Sequence, residues 1–243
     1  MNILGITWRC AGIDDVEILH ALPEELVTVL GEINGFIVHA GAVHVRGACL
    51  GPEWHSLRVA MHGPQAFHRL YGDVLPSDIP FAQDQVGDQF LLRSGSVCRL
   101  AAETGEIEPF CANLRHFLGG LQGDVEDFFT VGLSQQLEPG ELLHACPPFC
   151  VKESGAGASL QPCPASQVIL FHADFARQIR NIPDGGKIEI RFTDLVANKA
   201  MDVAMSSLTF GPASHQRPPS AKWRPQMVKM CIFLEEFDPF RQF

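Results

Sequence analysis

Apolar residues recur at helical spacing through residues 22–36, LPEELVTVLGEINGF, where Leu26, Val29, Leu30 and Ile33 fall on one face. Pro23 suits a first helical position, Glu24 and Glu25 suit the positive end of the helix dipole, and Asn34-Gly35 supplies a left-handed stop. The pattern then shortens. Residues 36–50, FIVHAGAVHVRGACL, are β-branched runs broken by glycines, which predicts strands and turns. A short helix is expected over residues 56–72, followed by strands at 89–92 (QFLL), 96–102 (SVCRLAA) and 107–110 (IEPF). The connections Arg93-Ser94-Gly95 and Glu103-Thr104-Gly105-Glu106 are short enough for hairpins, so this stretch reads as an antiparallel meander.

Helical spacing returns at residues 112–121, with Leu114, Phe117, Leu118 and Leu121 on one side. It continues at 124–137, where Asp124 is the expected N-cap and Asp127 its partner. Beyond it, residues 150–154 (CVKES) and 159–163 (SLQPC) read as a hairpin around Gly155-Ala156-Gly157. A helix at 165–181 buries Val168, Phe171, Phe175 and Ile179, and after the turn at 183–186 a last strand, KIEIRF, is expected. Residues 211–229 carry prolines and basic residues without acids, the mark of a linker or extended arm. The Phe-rich close, residues 231–243, would dock as a strand or short helix. The expected organisation is therefore a domain over 1–130, an α/β extension over 131–193 packed on it, and a Pro-rich tail over 194–243.

Composition narrows the function classes. With 46% hydrophobic and 19% charged residues in 243, the chain can build a sizeable core. A formal charge of −10 argues against nucleic acid as a partner and suits a basic protein instead. The opening residues lack a basic region followed by a sustained apolar one, and no window suits a membrane span, so a cytoplasmic protein with reduced thiols is expected.

Three groups of residues invite a chemical reading. Asp84-Gln85-Val86-Gly87-Asp88 fails as a calcium loop, because Val86 stands where a third-position oxygen is needed and Gly95 where the twelfth-position Glu belongs. Its aspartates are expected to cap turns beside a strand. Cys146, Cys150 and Cys163 with His144 do not match the tight C-x2-C pairs of a zinc site. Nothing fixes His144 or His172 against Cys150 or Cys163 as a nucleophile and base, and phosphate-binding and hydrolase motifs are absent from the sequence. No catalytic residue, metal or cofactor is therefore expected. Trp54, Tyr71 and Phe149 remain as aromatics suited either to an interface or to local packing.

Three stretches together carry a resemblance. LPEELVTVLGEINGF resembles the opening helix of the SUKH superfamily, in its Smi/Knr branch. IPFAQDQVGDQFLL resembles that branch's Pro-Phe-Ala, Asp, Gly-Asp motif, and SVCRLAAETGEIEPF with the helix after it resembles the next elements. The likeness covers roughly residues 15 to 130, and the segment up to residue 193 resembles an extension carried by some bacterial members. It implies an α+β fold, a central antiparallel sheet flanked by helices, with a C-terminal ββαβ extension. It also implies a non-catalytic role, as an immunity protein that binds and neutralises a cognate toxin of polymorphic or type VI secretion type. A regulatory scaffold without a toxin partner is the alternative. The sheet and its rim loops would supply the binding face: Trp54, Tyr71, Asp84, Asp88, Glu103, Glu106 and Glu108.

Overall fold

The structure, a computed structural model, describes residues 3–129, 135–183, 185–194, 199–200, 208–209 and 228–233. By their contacts the residues fall into two units, Met1–His144 with Pro162–Arg177, and Ala145–Gln161 with Gln178–Phe243. The fold class is α+β, with an antiparallel sheet flanked by helices. The division differs from the boundaries expected at residues 130 and 193.

The first unit is built on seven strands: β1 (Ile6–Arg9), β2 (Phe36–Val38), β3 (Val43–Val45), β4 (Ile79–Asp84), β5 (Gln89–Arg93), β6 (Ser96–Leu100) and β7 (Ile107–Cys111). They lie side by side in chain order, each antiparallel to the next. Because successive side chains leave opposite faces of a strand, β5 serves two cores. Phe90 and Leu92 join a large cluster with Leu26 and Leu30 of α2 (Glu24–Glu32), Phe117 of α5 (Leu114–Gly120) and Phe129 of α6 (Val125–Phe129). Leu91 joins Phe67, Tyr71, Leu100, Ala173 and Ala176 in another. Phe90 meets Phe117 edge-on at 4.9 Å between centroids, as do Phe81 and Phe117, the geometry that aromatic quadrupoles favour.

Local chemistry explains where the elements stop. Pro23 is the N-cap of α2, one place earlier than expected, and Gly35 takes φ +74 just beyond its end. The single helix expected over 56–72 is two: α3 (Leu57–His62) and α4 (Phe67–Leu70). Gly63, extended at φ −64 and ψ 172, precedes Pro64, and a proline disfavours helical backbone in the residue before it. Asp124 accepts from the Asp127 amide at 3.1 Å and so starts α6 as expected; residues 130–134 of that expected helix lie outside the described residues.

The strand partners of the extension need correction. Residues Lys152–Ala156 form a 3-10 turn rather than a hairpin strand, and β9 (Ser159–Pro164) pairs with β8 (Glu141–Cys146). In ELLHAC the adjacent Leu142 and Leu143 are both buried, and their packing gives this segment the pairing with β9. The ββαβ order still holds, as β8, β9, α7 (Ala165–Ile179) and β10 (Lys187–Asp194). In the second unit β10 pairs with β11 (Lys199–Ala200), β12 (Leu208–Thr209) and β13 (Val228–Phe233), all antiparallel. Part of the expected tail is therefore sheet, and most of the expected linker lies outside the described residues. Among the described residues, no helix is long and apolar enough to cross a membrane.

Candidate functional site

The β4–β5 hairpin carries the sequence motif, and most of its polar atoms are hydrogen-bonded within the molecule. Asp84 Oδ1 accepts from the Val86 amide at 2.9 Å and the Asp88 amide at 3.1 Å, closing the turn, with Gly87 at φ +95. Asp88 Oδ2 accepts from Arg99 Nε and Nη2 at 2.8 and 2.5 Å, and its Oδ1 accepts from the Ala102 amide at 2.8 Å. Burial opposes the Arg99 charge, but Asp88 and Asp84 outweigh it and hold the guanidinium above its ordinary range. Tyr71 donates from its hydroxyl to the Ala102 carbonyl at 3.0 Å, so the Ala102 peptide is held from both ends.

A second row crosses the same strands. His44 stands opposite Gln83 and Gln83 opposite Gln89, and directly opposed residues share a face. Arg46, just past the end of β3 and two residues on from His44, donates from Nη2 to Gln83 Oε1 at 2.6 Å and Gln89 Oε1 at 2.7 Å, and from Nη1 to the Pro80 carbonyl at 2.8 Å. Its guanidinium carbon lies 5.2 Å above the Phe67 ring. Burial among these neutral oxygens pushes Arg46 down to about 9.

Beside this row, His44 Nε2 and His55 Nδ1 share a hydrogen bond of 2.7 Å, their rings stacked with centroids 5.0 Å apart. Trp8 and Trp54 flank His55 at 4.8 and 5.5 Å. Burial, then the His55 and Arg46 charges, holds His44 well below its ordinary value; burial likewise pushes His55 down to about 4. Both imidazoles are neutral near pH 7 and act as ligands or hydrogen-bond partners rather than acids. The ligand atoms of Cys10, Cys49 and His55 all lie within 4.8 Å of one another. Burial pushes the Cys49 thiol up to about 12, which removes it as a nucleophile at neutral pH.

Comparison with family models, curated proteins and solved structures finds no significant match.

The residues expected at a binding face separate into two groups. Glu106 and Glu108 are exposed on the β6–β7 hairpin, Glu103 is half-buried there, and Trp54 is half-buried against the imidazoles. Tyr71, Asp84 and Asp88 are buried at 4%, 1% and 9% exposure. Their hydrogen-bonded polar atoms serve the turn, Arg99 and Ala102. The expected capping role of the aspartates holds. Of the thiols first weighed, Cys150 is buried, and burial raises both Cys146 and Cys163. His144 and His172 lie with ring centroids 6.4 Å apart against Phe171. Sequence reasoning missed Cys10, Cys49, His44, His55 and Arg46, which come from separate segments with no motif spacing.

Proposed function

We propose that this protein is a non-catalytic immunity protein of the SUKH type, which neutralises a basic toxin by binding it. The observation that carries the reading is the fate of the stretch behind the resemblance. Its motif aspartates and glutamines support buried Arg46, half-buried Arg99 and a turn, while the acids of the following hairpin, Glu106 and Glu108, are left in solvent. A motif spent on its own scaffold suits a protein that presents a surface. That hairpin ends in β7, the last strand of the seven, where Pro109 removes a backbone donor and so blunts strand addition. Recognition then falls to side chains, and the formal charge of −10 favours fast association with a cationic partner.

Co-expression with the toxin encoded beside its gene tests this reading. Survival of the cells and co-purification of a stoichiometric complex are expected. Continued killing with no complex recovered would sink the proposal and leave the regulatory scaffold as the better reading.

A further inference from the structure

We propose that Cys10, Cys49 and His55 form a binding site for a thiophilic divalent cation of the zinc class, independent of any protein partner. Two sulfurs and an imidazole nitrogen are the donors such an ion prefers. Tetrahedral zinc, with bonds of about 2.3 Å to sulfur, would place sulfurs roughly 3.8 Å apart. Ligand atoms already within 4.8 Å of one another need close by only about an ångström.

Backbone and side-chain bonds bring the three segments together before any ion arrives. Buried Asn34 joins the two cysteine segments: its Oδ1 accepts from the Ala48 amide at 2.7 Å, and its Nδ2 faces the Ala11 and Ala48 carbonyls at 3.3 Å each and Cys10 Sγ at 3.9 Å. The Cys10 amide donates to the Gly35 carbonyl at 3.2 Å. On the other side, the Gly47 amide donates to the His55 carbonyl and the Leu57 amide to the Gly47 carbonyl, at 3.1 and 3.0 Å. A Cβ on Gly47 would sit 2.6 Å from His55 Nε2, so only glycine admits the imidazole there.

The hydrogen bond to His44 selects the ligating nitrogen. It takes His55 Nδ1, leaving Nε2, whose contact with the Asn34 carbonyl is a long 3.4 Å. Ligating histidines are characteristically held through their other ring nitrogen in this way. Two thiolates balance a divalent ion, so the buried site would carry no net charge. Cys49 and His55 are buried and Cys10 is half-buried, which gives the ion a route in from the Cys10 side. A fourth position falls to water or to Asp14, an exposed carboxylate whose Oδ1 accepts from the Leu50 amide at 2.8 Å. A Cys10–Cys49 disulfide would leave His55 and its oriented nitrogen without a role.

The full chain, reduced and stripped with a chelator, is titrated with cobalt(II) and then zinc. One equivalent of cobalt should give sulfur-to-metal charge-transfer absorption with the visible bands of tetrahedral cobalt, and one equivalent of zinc should bleach both. His44→Ala should weaken cobalt binding about 10- to 100-fold by freeing the His55 ring, and Cys10→Ser should weaken it further. Cys163→Ser should leave the spectrum unchanged. The site is overturned by a wild-type chain that shows no charge-transfer band, including one that merely oxidises to a disulfide. It is equally overturned by a Cys10→Ser spectrum that matches wild type, or by loss of the band in Cys163→Ser.

Discussion

The hairpin of β4 and β5 and the cluster of Cys10, Cys49 and His55 both bury polar groups in the first unit, yet they settle them differently. In the hairpin, carboxylates and glutamines meet guanidinium and amide donors at hydrogen-bond distance, and the network supports itself. In the cluster, two thiols and an imidazole lie within 4.8 Å of one another, and the contacts of Asn34 with His55 Nε2 and Cys10 Sγ are long, at 3.4 and 3.9 Å. A largely saturated polar network is structure; a set of soft donors with only long, weak contacts on its ligand atoms is capacity for a ligand.

The largest effect should come from breaking the saturated side. Asp88→Ala removes the partner of Arg99 and the acceptor of the Ala102 amide together, and should cost about 3 kcal/mol of unfolding free energy. Asp88→Asn keeps an acceptor for the amide and should cost less. Urea denaturation of the two variants measures both, and equal losses would show that the charge, not the amide, dominates.

A smaller effect concerns the histidine beside the same turn. A Cβ on Gly87 would lie 3.3 Å from His172 Nδ1, and that nitrogen is buried with no hydrogen-bond partner among the described residues. Burial, then His144, pushes His172 down to about 3. The folded state refuses a proton that the unfolded chain accepts below about 6.5. Stability from this group is therefore full above that pH and falls as pH drops toward 3. Between pH 7.5 and 4.5 the loss should be about 2.5 kcal/mol. His172→Phe should flatten that part of the stability–pH curve; a curve as steep as wild type would show that His172 is protonated in the fold.

What was legible in the sequence follows the same division. The α2 face, the meander from β5 to β7 and the capping aspartates depend on neighbours a few residues apart, so periodicity and turn chemistry could find them. The turn aspartates were visible, but not the depth at which Tyr71, Asp84 and Asp88 lie, because burial is set by packing between remote segments, as where Ala173 and Ala176 of α7 meet Tyr71. Cys10, Cys49 and His55 were invisible for a stronger reason. The Asn34 side chain and the backbone of Gly35 and Gly47 join their segments, and no spacing rule encodes that. The partner of β9 was misread because two nearby segments competed and only tertiary packing decides between them.

Loosening the frame of the unsaturated cluster should cost less again. Asp15 caps α1 (Val16–Leu19) by accepting from the Ile18 amide at 3.2 Å, pairs with Arg58, and donates its own amide to the Ala48 carbonyl beside Cys49. Asp15→Ala should lower stability by about 2 kcal/mol, because it loses both the N-cap and the two bonds from the partly exposed Arg58. It should also weaken cobalt binding without abolishing it, since no ligand is lost. Unchanged cobalt affinity would show that Asn34 alone sets the positions of the two thiols.

The smallest expected effect on the fold tests the surface instead. Glu106 and Glu108 are exposed, and Glu108 stands opposite Arg99 across β6 and β7. Replacing both with Lys should change stability by less than about 0.5 kcal/mol, as for most surface positions. If this hairpin steers a basic toxin, the same double variant should slow association about tenfold at low salt while changing dissociation little. Raising the salt should shrink that difference, because exposed charges are screened within about 10 Å at 0.1 M. Association that is unaltered at low salt would move the binding face away from β7, while leaving the two buried clusters as described.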